Sequence, residues 1–326
     1  MKILLLRFSS IGDIVLTTPV ARCLKRQLGA EVHYLTKEPY VPILTPNPNV
    51  DQVFSFKKEV TEVLPLLRAE RYDWIIDLHH NLRTLRLKWA LGRPARAFNK
   101  LNFEKWLLVN TGIDRLPDVH IVHRYLDTAR HLDIKYDGRG LDYFIPPGEE
   151  LHLPDVSPVL STGNYFGFVI GATHATKRLP ADKIMAVCRN LHRPVVLLGG
   201  GAETETGDYI ARNAGGHVIN LCGKLSLHQS ASAVRQAAAV ATHDTGLMHV
   251  AAAFSKKIVS IWGNTVPKFG MYPFYPDGEN HNTPIENTGL KCRPCSKIGY
   301  ARCPKNHFRC MNALDIAQIC SALESR

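Results

Sequence analysis

Three short segments of this 326-residue chain carry residues suited to chemistry on a phosphorylated ligand. His243-Asp244-Thr245-Gly246-Leu247-Met248-His249 stands between Ala238–Thr242, which reads as a buried strand, and Val250–Phe254, which reads as a helix packed on a sheet. Polar residues and a central glycine at a strand-to-helix turn make a ligand cradle. The helix N-terminus offers unpaired N–H groups and the positive end of its dipole, both suited to phosphate. Asp244 also suits a plain N-cap, and His249 an ordinary buried position on an apolar helix. A lone Asp-Thr-Gly triplet in an α/β setting does not make an aspartic protease, which needs two such carboxylates in an all-β fold.

A second turn, Ser9-Ser10-Ile11-Gly12-Asp13, follows an apolar run at the N-terminus. Gly12 lets the backbone bend tightly and lie close to a ligand. Asp13 opens the next helix, where it serves as a cap, as a general base that takes a proton from an attacking hydroxyl, or as both. The third segment, Gly171–Pro180, follows another apolar run, and Pro180 suits the first turn of a helix. Within it Thr173 and Lys177 have the types needed to hold the oxygens of a diphosphate leaving group and neutralise its charge.

Alternating strands and helices must position these turns. Lys2–Phe8, Glu31–Thr36, Gln52–Phe56 and Asp73–Leu78 read as strands, with helices over Ile14–Leu28, Glu59–Glu70, Leu82–Leu91 and His120–Leu132. Tyr143–Gly163, rich in Pro and Gly, reads as a linker. The rhythm then restarts, with strands at Tyr165–Ile170, Pro194–Leu198, His217–Leu221, Ala238–Thr242 and Lys257–Trp262. Helices are expected over Lys183–Leu191, Glu203–Asn213 and Ser226–Gln236. This pattern predicts an α/β chain of two doubly wound domains, residues 1–155 and 156–310. A last helix within 311–326 is expected to pack back on the N-terminal domain. Ligands in such folds sit at the carboxyl ends of the strands, so the cleft between the domains is the expected site. The first strand lacks the Gly-x-Gly-x-x-Gly fingerprint of dinucleotide sites, and Gly199-Gly200-Gly201 reads as a strand-to-helix turn.

Composition narrows the partners. The chain is 45% hydrophobic and 21% charged, as soluble globular proteins are, and its formal charge of +11 favours an anionic ligand. No aromatic-interleaved nucleic-acid motif is evident, so nucleic acid is not an expected partner. The N-terminal apolar run is cut short by Arg7, unlike a signal peptide, and no window of 18 apolar residues marks a membrane span. A cytoplasmic, monomeric protein is expected. Arg83–Lys105 carries seven basic residues against Glu104, interleaved with Trp89 and Trp106. Such a stretch suits either a solvated face or peripheral contact with anionic headgroups at the inner face of the cytoplasmic membrane.

Four of the eight cysteines fall close together as Cys292-x2-Cys295-x7-Cys303-x6-Cys310. Such thiols can hold a structural zinc, but the unequal spacing, with Pro294 and Pro304 inside, departs from standard zinc-finger patterns. Reduced, packed thiols are the favoured reading. Cys23, Cys188, Cys222 and Cys320 lie on apolar faces and read as core.

Taken together, the turns resemble glycosyltransferase family 9, the ADP-heptose:lipopolysaccharide heptosyltransferases. The resemblance rests on Lys2–Pro19, Asn47-Pro48-Asn49-Val50-Asp51, Tyr72–His79, Lys177-Arg178-Leu179-Pro180 and Asp244–Ala253. It implies a GT-B architecture, two Rossmann-like domains facing across a cleft, the first for the acceptor and the second for the nucleotide sugar. It implies an inverting, metal-independent transfer of heptose from ADP-heptose to an anionic inner-core acceptor, Kdo or heptose, with no cofactor. Under it Asp13 matches the catalytic base, and Lys177 and Thr173 the diphosphate contacts. Asp244, Thr245, Gly246, Leu247 and His249 match the phosphate turn. Glu203 matches an acidic nucleotide contact, with Glu205 competing, and Leu225 a side chain near the adenine. Two alternatives stay open: another nucleotide sugar on the same fold, or a sugar-nucleotide-binding protein without catalysis.

Overall fold

Parallel strands order both halves of the chain. The computed structural model describes residues 1–325. In one half, β1 (Lys2–Leu6), β2 (Glu31–Lys37), β3 (Gln52–Phe56), β4 (Trp74–Asp77) and β5 (Ala95–Ala97) form a sheet in the order β3-β2-β1-β4-β5. In the other, β6 (Phe166–Val169), β7 (Val195–Leu198), β8 (Val218–Asn220), β9 (Ala239–His243), β10 (Ile258–Trp262) and β11 (Asn282–Glu286) are ordered β11-β10-β9-β6-β7-β8. Each strand pair is parallel, with Leu6 opposite Leu35 and Asp77 and Val169 opposite Leu198 and Thr242. Helices cover both faces, so the central strands read as unbroken apolar runs: Ile3, Leu4, Leu5 and Leu6 are 0% exposed.

Both sheets are wound in the same way. The chain runs outward from β1 through β2 to β3, then returns to lay β4 on the other side of β1. It repeats the manoeuvre from β6 through β7 and β8, then back to β9. The gaps between β1 and β4 and between β6 and β9 are therefore switch points, where adjoining loops diverge and leave a crevice.

The two compact units are not simple halves. The first is Met1–Leu101, Val119–Phe144 and Phe274–Gly278, and the second is Asn102–Asp118, Ile145–Pro273 and Glu279–Arg326. The boundary expected at 155 thus falls earlier, and Asn102–Asp118 belongs with the second unit. The last helix, Ile316–Glu324, expected to pack on the N-terminal domain, clusters with the second unit. Its stripe of Ile319, Cys320 and Leu323 joins the second unit's own core, with Ile184, Val187, Cys188 and Leu191. That i, i+1, i+4 spacing closes one face of the helix against the Ala181–Asn190 helix.

Local chemistry explains other differences. The helix expected over Ile14–Leu28 is cut into Ile11–Val15 and Thr18–Leu28, because Pro19 cannot donate to the Val15 carbonyl. The Thr18 hydroxyl donates to that carbonyl instead, at 2.7 Å, and the Thr17 hydroxyl donates to Ile14 at 2.6 Å. The strands β5 and β11 are short edge strands with polar sequences, Ala-Arg-Ala and Asn-Thr-Pro-Ile-Glu, and carry no alternating pattern. Pro284 is tolerated in β11 because that strand pairs on one side only. Among the described residues no helix is long and apolar enough to cross a membrane.

Candidate active site

The first cluster sits at the β1/β4 switch point. Asp13 lies in the first turn of the Ile11–Val15 helix. Its Oδ2 accepts from Ser10 N at 3.1 Å and from Ser10 Oγ at 2.8 Å, so it does cap the turn. Its Oδ1 faces Arg7 Nη2 at 2.5 Å. Arg7, on the chain leaving β1, is buried and fully engaged: Nε donates to Ser9 O at 2.8 Å, and Nη1 to Leu78 O at 2.6 Å and Tyr125 Oη at 3.1 Å. Burial works against its charge, but Asp13, Tyr125 and Tyr34 outweigh it and hold the Arg7 pKa above the ordinary value. The guanidinium thereby ties the β1 turn, the β4 turn and the carboxylate together. Gly12 is buried beside Asp13.

His79 completes this cluster from β4. Asp77 is fully buried, pairs with Lys88 Nζ at 2.7 Å, and accepts from the amides of His79 (3.1 Å) and His80 (2.7 Å). That fixes the turn on which the His79 ring packs against Phe8, centroid to centroid 4.8 Å. Burial, with Arg7 and Lys100 nearby, pushes His79 down to about 4, so the ring is neutral at pH 7. Its Nδ1 has no hydrogen-bond partner among the described residues. Sequence reasoning assigned roles to neither Arg7 nor His79. The signal available was their position at the carboxyl ends of adjoining strands.

The second cluster sits at the β6/β9 switch point. Lys177, in the loop after β6, pairs with Asp244, after β9, at 2.6 Å. Asp244 Oδ2 also accepts from Thr265 Oγ1 at 3.1 Å, from the loop after β10. Thr245 is the N-cap of the Gly246–Ala253 helix, and its hydroxyl lies 3.1 Å from Thr242 Oγ1. The first amides of this helix, from Gly246 and Leu247 onward, have no carbonyl one turn back within the helix. His249 is buried on that helix, and Leu247 is half-buried. Below them His243 locks the two loops together: Leu179 N donates to its Nε2 at 2.9 Å, leaving Nδ1 to face Gly171 O at 3.4 Å. Complete burial pushes His243 down to about 4.

The neighbouring loops extend this cluster along the sheet edge. Glu203, after β7, accepts from Gly200 N at 3.0 Å and faces Arg178 Nη2 at 3.3 Å. Its side chain fills the space beside Gly171 and Gly199, where an added Cβ would meet Glu203 atoms at 3.0 and 2.9 Å. Glu205 is exposed on the following helix. Leu225, after β8, is half-buried just before Ser226, the N-cap of the Leu227–Gln236 helix. Thr173 is exposed in the loop after β6. Because β8, β7, β6 and β9 are neighbours in that order, the loops bearing Leu225, Glu203, Lys177 and Asp244 line one carboxyl edge in the same order.

Known proteins resemble this chain in sequence and in fold. The curated relatives include lipopolysaccharide heptosyltransferase 2 of Escherichia coli K12, 26% identical over 294 residues, covering 82% of this chain and 84% of the relative. Lipopolysaccharide heptosyltransferase 1 of Pseudomonas aeruginosa is 24% identical over 322 residues, 91% of this chain and 86% of the relative. Among solved structures, a family 9 glycosyltransferase from Veillonella parvula superposes with a TM-score of 0.72 at 23% identity, covering 87% of this chain and 85% of that one. E. coli ADP-heptose LPS heptosyltransferase II gives a TM-score of 0.70 at 23% identity, over 98% of this chain and 99% of that one. These likenesses place the fold among the GT-B glycosyltransferases, which are built from two Rossmann-like α/β domains. The profile of glycosyltransferase family 9 (heptosyltransferase) matches residues 61–299, well over half of the sequence, and the chain belongs to that family.

Proposed function

We propose that this chain transfers heptose from ADP-heptose to an anionic lipopolysaccharide inner-core acceptor, Kdo or heptose, with inversion at the anomeric carbon. Asp13 takes the proton of the acceptor hydroxyl as its oxygen bonds to the anomeric carbon. The bond from that carbon to the diphosphate oxygen breaks on the opposite side, and ADP departs. Lys177 and the amides of Thr245, Gly246 and Leu247 neutralise the charge that ADP gains, a contribution of about 3 kcal/mol per well-placed donor. Thr173 and His249 add contacts to the diphosphate. Glu203 and Leu225 lie toward the nucleoside end of the same edge. No metal takes part in the bond exchange.

The observation that carries this reading is the pairing at the two switch points. Asp13 is aimed by Arg7 at 2.5 Å, and Lys177 is aimed by Asp244 at 2.6 Å. Asp244 is thus better read as the group that orients Lys177 than as a phosphate ligand, since two anions repel. The relatives whose names specify lipopolysaccharide support the acceptor class, and the donor follows from the ADP-heptose named for the E. coli structure.

The helix Leu82–Leu91 supports a place for the protein on the inner surface of the cytoplasmic membrane, where such an acceptor is reached. It exposes Leu82 (73%), Leu85 and Trp89 (87%) beside exposed Arg83, Arg86 and Arg93, apolar side chains framed by cations. Lys88 is not part of that face, being turned inward to Asp77. Calorimetric titration with ADP, UDP, GDP and NAD tests the donor. Binding of ADP well ahead of the others is the expected result, and preference for NAD or UDP contradicts the proposal.

A further inference from the structure

Of the side chains suited to binding that the transfer chemistry leaves unused, His79 is the best placed. The clustered thiols Cys292, Cys295, Cys303 and Cys310 do not converge, since no three of their sulfur atoms all lie within 4.8 Å of one another. Glu31, His33 and Glu70 do lie that close, but they already hold the Lys2 ammonium, 3.2 Å from Glu31 and 2.6 Å from Glu70. His79 instead stands at the carboxyl end of β4 with its ring on Phe8, and its two nitrogens have different surroundings. Nδ1 is sealed from solvent with no hydrogen-bond partner among the described residues, whereas Nε2 is not sealed and the ring as a whole is half-buried. A proton on Nδ1 would be a buried donor with nothing to accept it, which folded chains avoid. The proton of the neutral ring therefore sits on Nε2, and His79 presents one N–H donor outward.

The backbone holds this donor in place beside Asp13. Asp77 accepts from the amides of His79 and His80, and His80 Nδ1 donates to Phe98 O at 2.9 Å, so the turn is fixed on both sides of the ring. Arg7, the residue before Phe8, pairs with Asp13 and donates to the carbonyl of Leu78, the residue before His79. The dipeptide Arg7-Phe8 thus anchors the carboxylate through one side chain and the imidazole through the other. Their strands, β1 and β4, are paired neighbours about 4.8 Å apart. A phenylalanine would fill the place of His79 against Phe8 without a sealed, unpartnered nitrogen. The imidazole therefore costs stability, and a local rule broken at that cost is the mark of a working residue.

We propose that His79 binds the acceptor sugar, donating from Nε2 to an oxygen next to the hydroxyl that attacks. The crevice of the first unit then reads a pair of neighbouring sugar oxygens, one giving its proton to Asp13 and the other accepting from His79. The imidazole gains and loses no proton in the reaction; it is a neutral donor throughout. This rests on the transfer proposed above and adds to it the feature by which the acceptor is recognised.

The test uses the full chain. His79→Phe keeps a ring against Phe8 and removes the donor. It should lower kcat/KM for the acceptor about 10-fold, by raising the acceptor KM more than by lowering kcat. ADP affinity should be unchanged and the thermal midpoint equal or higher. His79→Gln, which carries an amide nitrogen in place of Nε2, should recover most of the loss. Among acceptors lacking one oxygen at a time, one should be used equally well by the wild-type chain and by His79→Phe, because the contact is then missing from either side. An unchanged acceptor KM in His79→Phe, a loss confined to kcat, or a series in which no missing oxygen erases the difference overturns the proposal. If His79→Phe does not fold, or the wild-type chain transfers no heptose, imidazole NMR of the wild-type chain decides, with free Kdo and free heptose as probes. A proton on His79 Nε2 and a signal that moves as either sugar is added support the contact. A proton on Nδ1, or a signal that neither sugar moves, overturns it. Such movement without any transfer supports the contact and counts against the transfer reading alone.

Discussion

The two switch points carry the same device with its members exchanged. After β1 the cation, Arg7, is the buried partner, held by Ser9, Leu78 and Tyr125, and the carboxylate of Asp13 is the more exposed member at 19% against 10%. After β6 and β9, Lys177 and Asp244 are equally exposed, at 16% and 15%, but the carboxylate is the one pinned, by Thr265, at the head of a helix. A fold duplicated in outline thus offers a proton acceptor at one crevice and a positive charge at the other. The doubly wound sheet dictates where each charged pair stands; the local anchoring dictates which member of the pair is held.

Making one chemical change at both places breaks this comparison most sharply. Asp13→Asn removes the proposed base and should lower kcat by about 10²–10⁴-fold while leaving ADP affinity unchanged. Asp244→Asn leaves the base intact and should chiefly weaken ADP binding, because Lys177 loses the partner that aims it. Steady-state kinetics and calorimetry on the two variants separate these outcomes; parallel losses in both would erase the distinction. Next in size, Lys177→Ala should lower kcat about 10²–10³-fold, with Lys177→Arg recovering part of it. Equal turnover in the alanine variant would remove Lys177 from the chemistry.

A pH measurement sharpens the second crevice. His243 titrates near 4 in the folded chain because burial disfavours its charge. Below the ordinary histidine value of about 6.5, the unfolded chain takes up a proton that the folded chain refuses. Stability from this group is therefore complete at neutral pH and lost as pH falls toward 4, by about 3 kcal/mol in all. In urea unfolding between those limits, His243→Gln should show a shallower dependence by up to one proton; parallel slopes would contradict the buried neutral ring.

The smallest expected effect concerns the exposed helix of the first unit. Trp89→Ser should reduce sedimentation with anionic liposomes by a few fold and leave transfer to a short, soluble acceptor unchanged. Equal binding to neutral and anionic vesicles by the wild-type chain would argue for a merely solvated face.

Much of this was legible in the residues. The buried strands announce themselves because both faces of a parallel sheet are covered, so β1 after Lys2 and all of β7 are unbroken apolar runs, and β10 is interrupted only by Ser260. The polar turns follow, since Gly12-Asp13 and Asp244–Gly246 must interrupt such runs. What stayed hidden depends on contacts between residues far apart in the chain. The Arg7–Asp13 pair looks in sequence like a stray basic residue and a cap. Lys88 looked like part of a basic surface until Asp77 claimed it. The edge strands β5 and β11 bury little and leave no pattern. The last helix shows its apolar stripe plainly, but a stripe does not name its partner, and here the partner is the Ala181–Asn190 helix.

The most direct measurement of the central claim is a transfer assay with ADP-heptose and an inner-core acceptor, read by mass spectrometry and by the configuration at the new anomeric carbon. The account predicts an acceptor heavier by one heptose, joined with inverted configuration, with release of ADP in the presence of chelator in the reaction. Retained configuration, or transfer by Asp13→Asn at a rate near that of the wild-type chain, would contradict it.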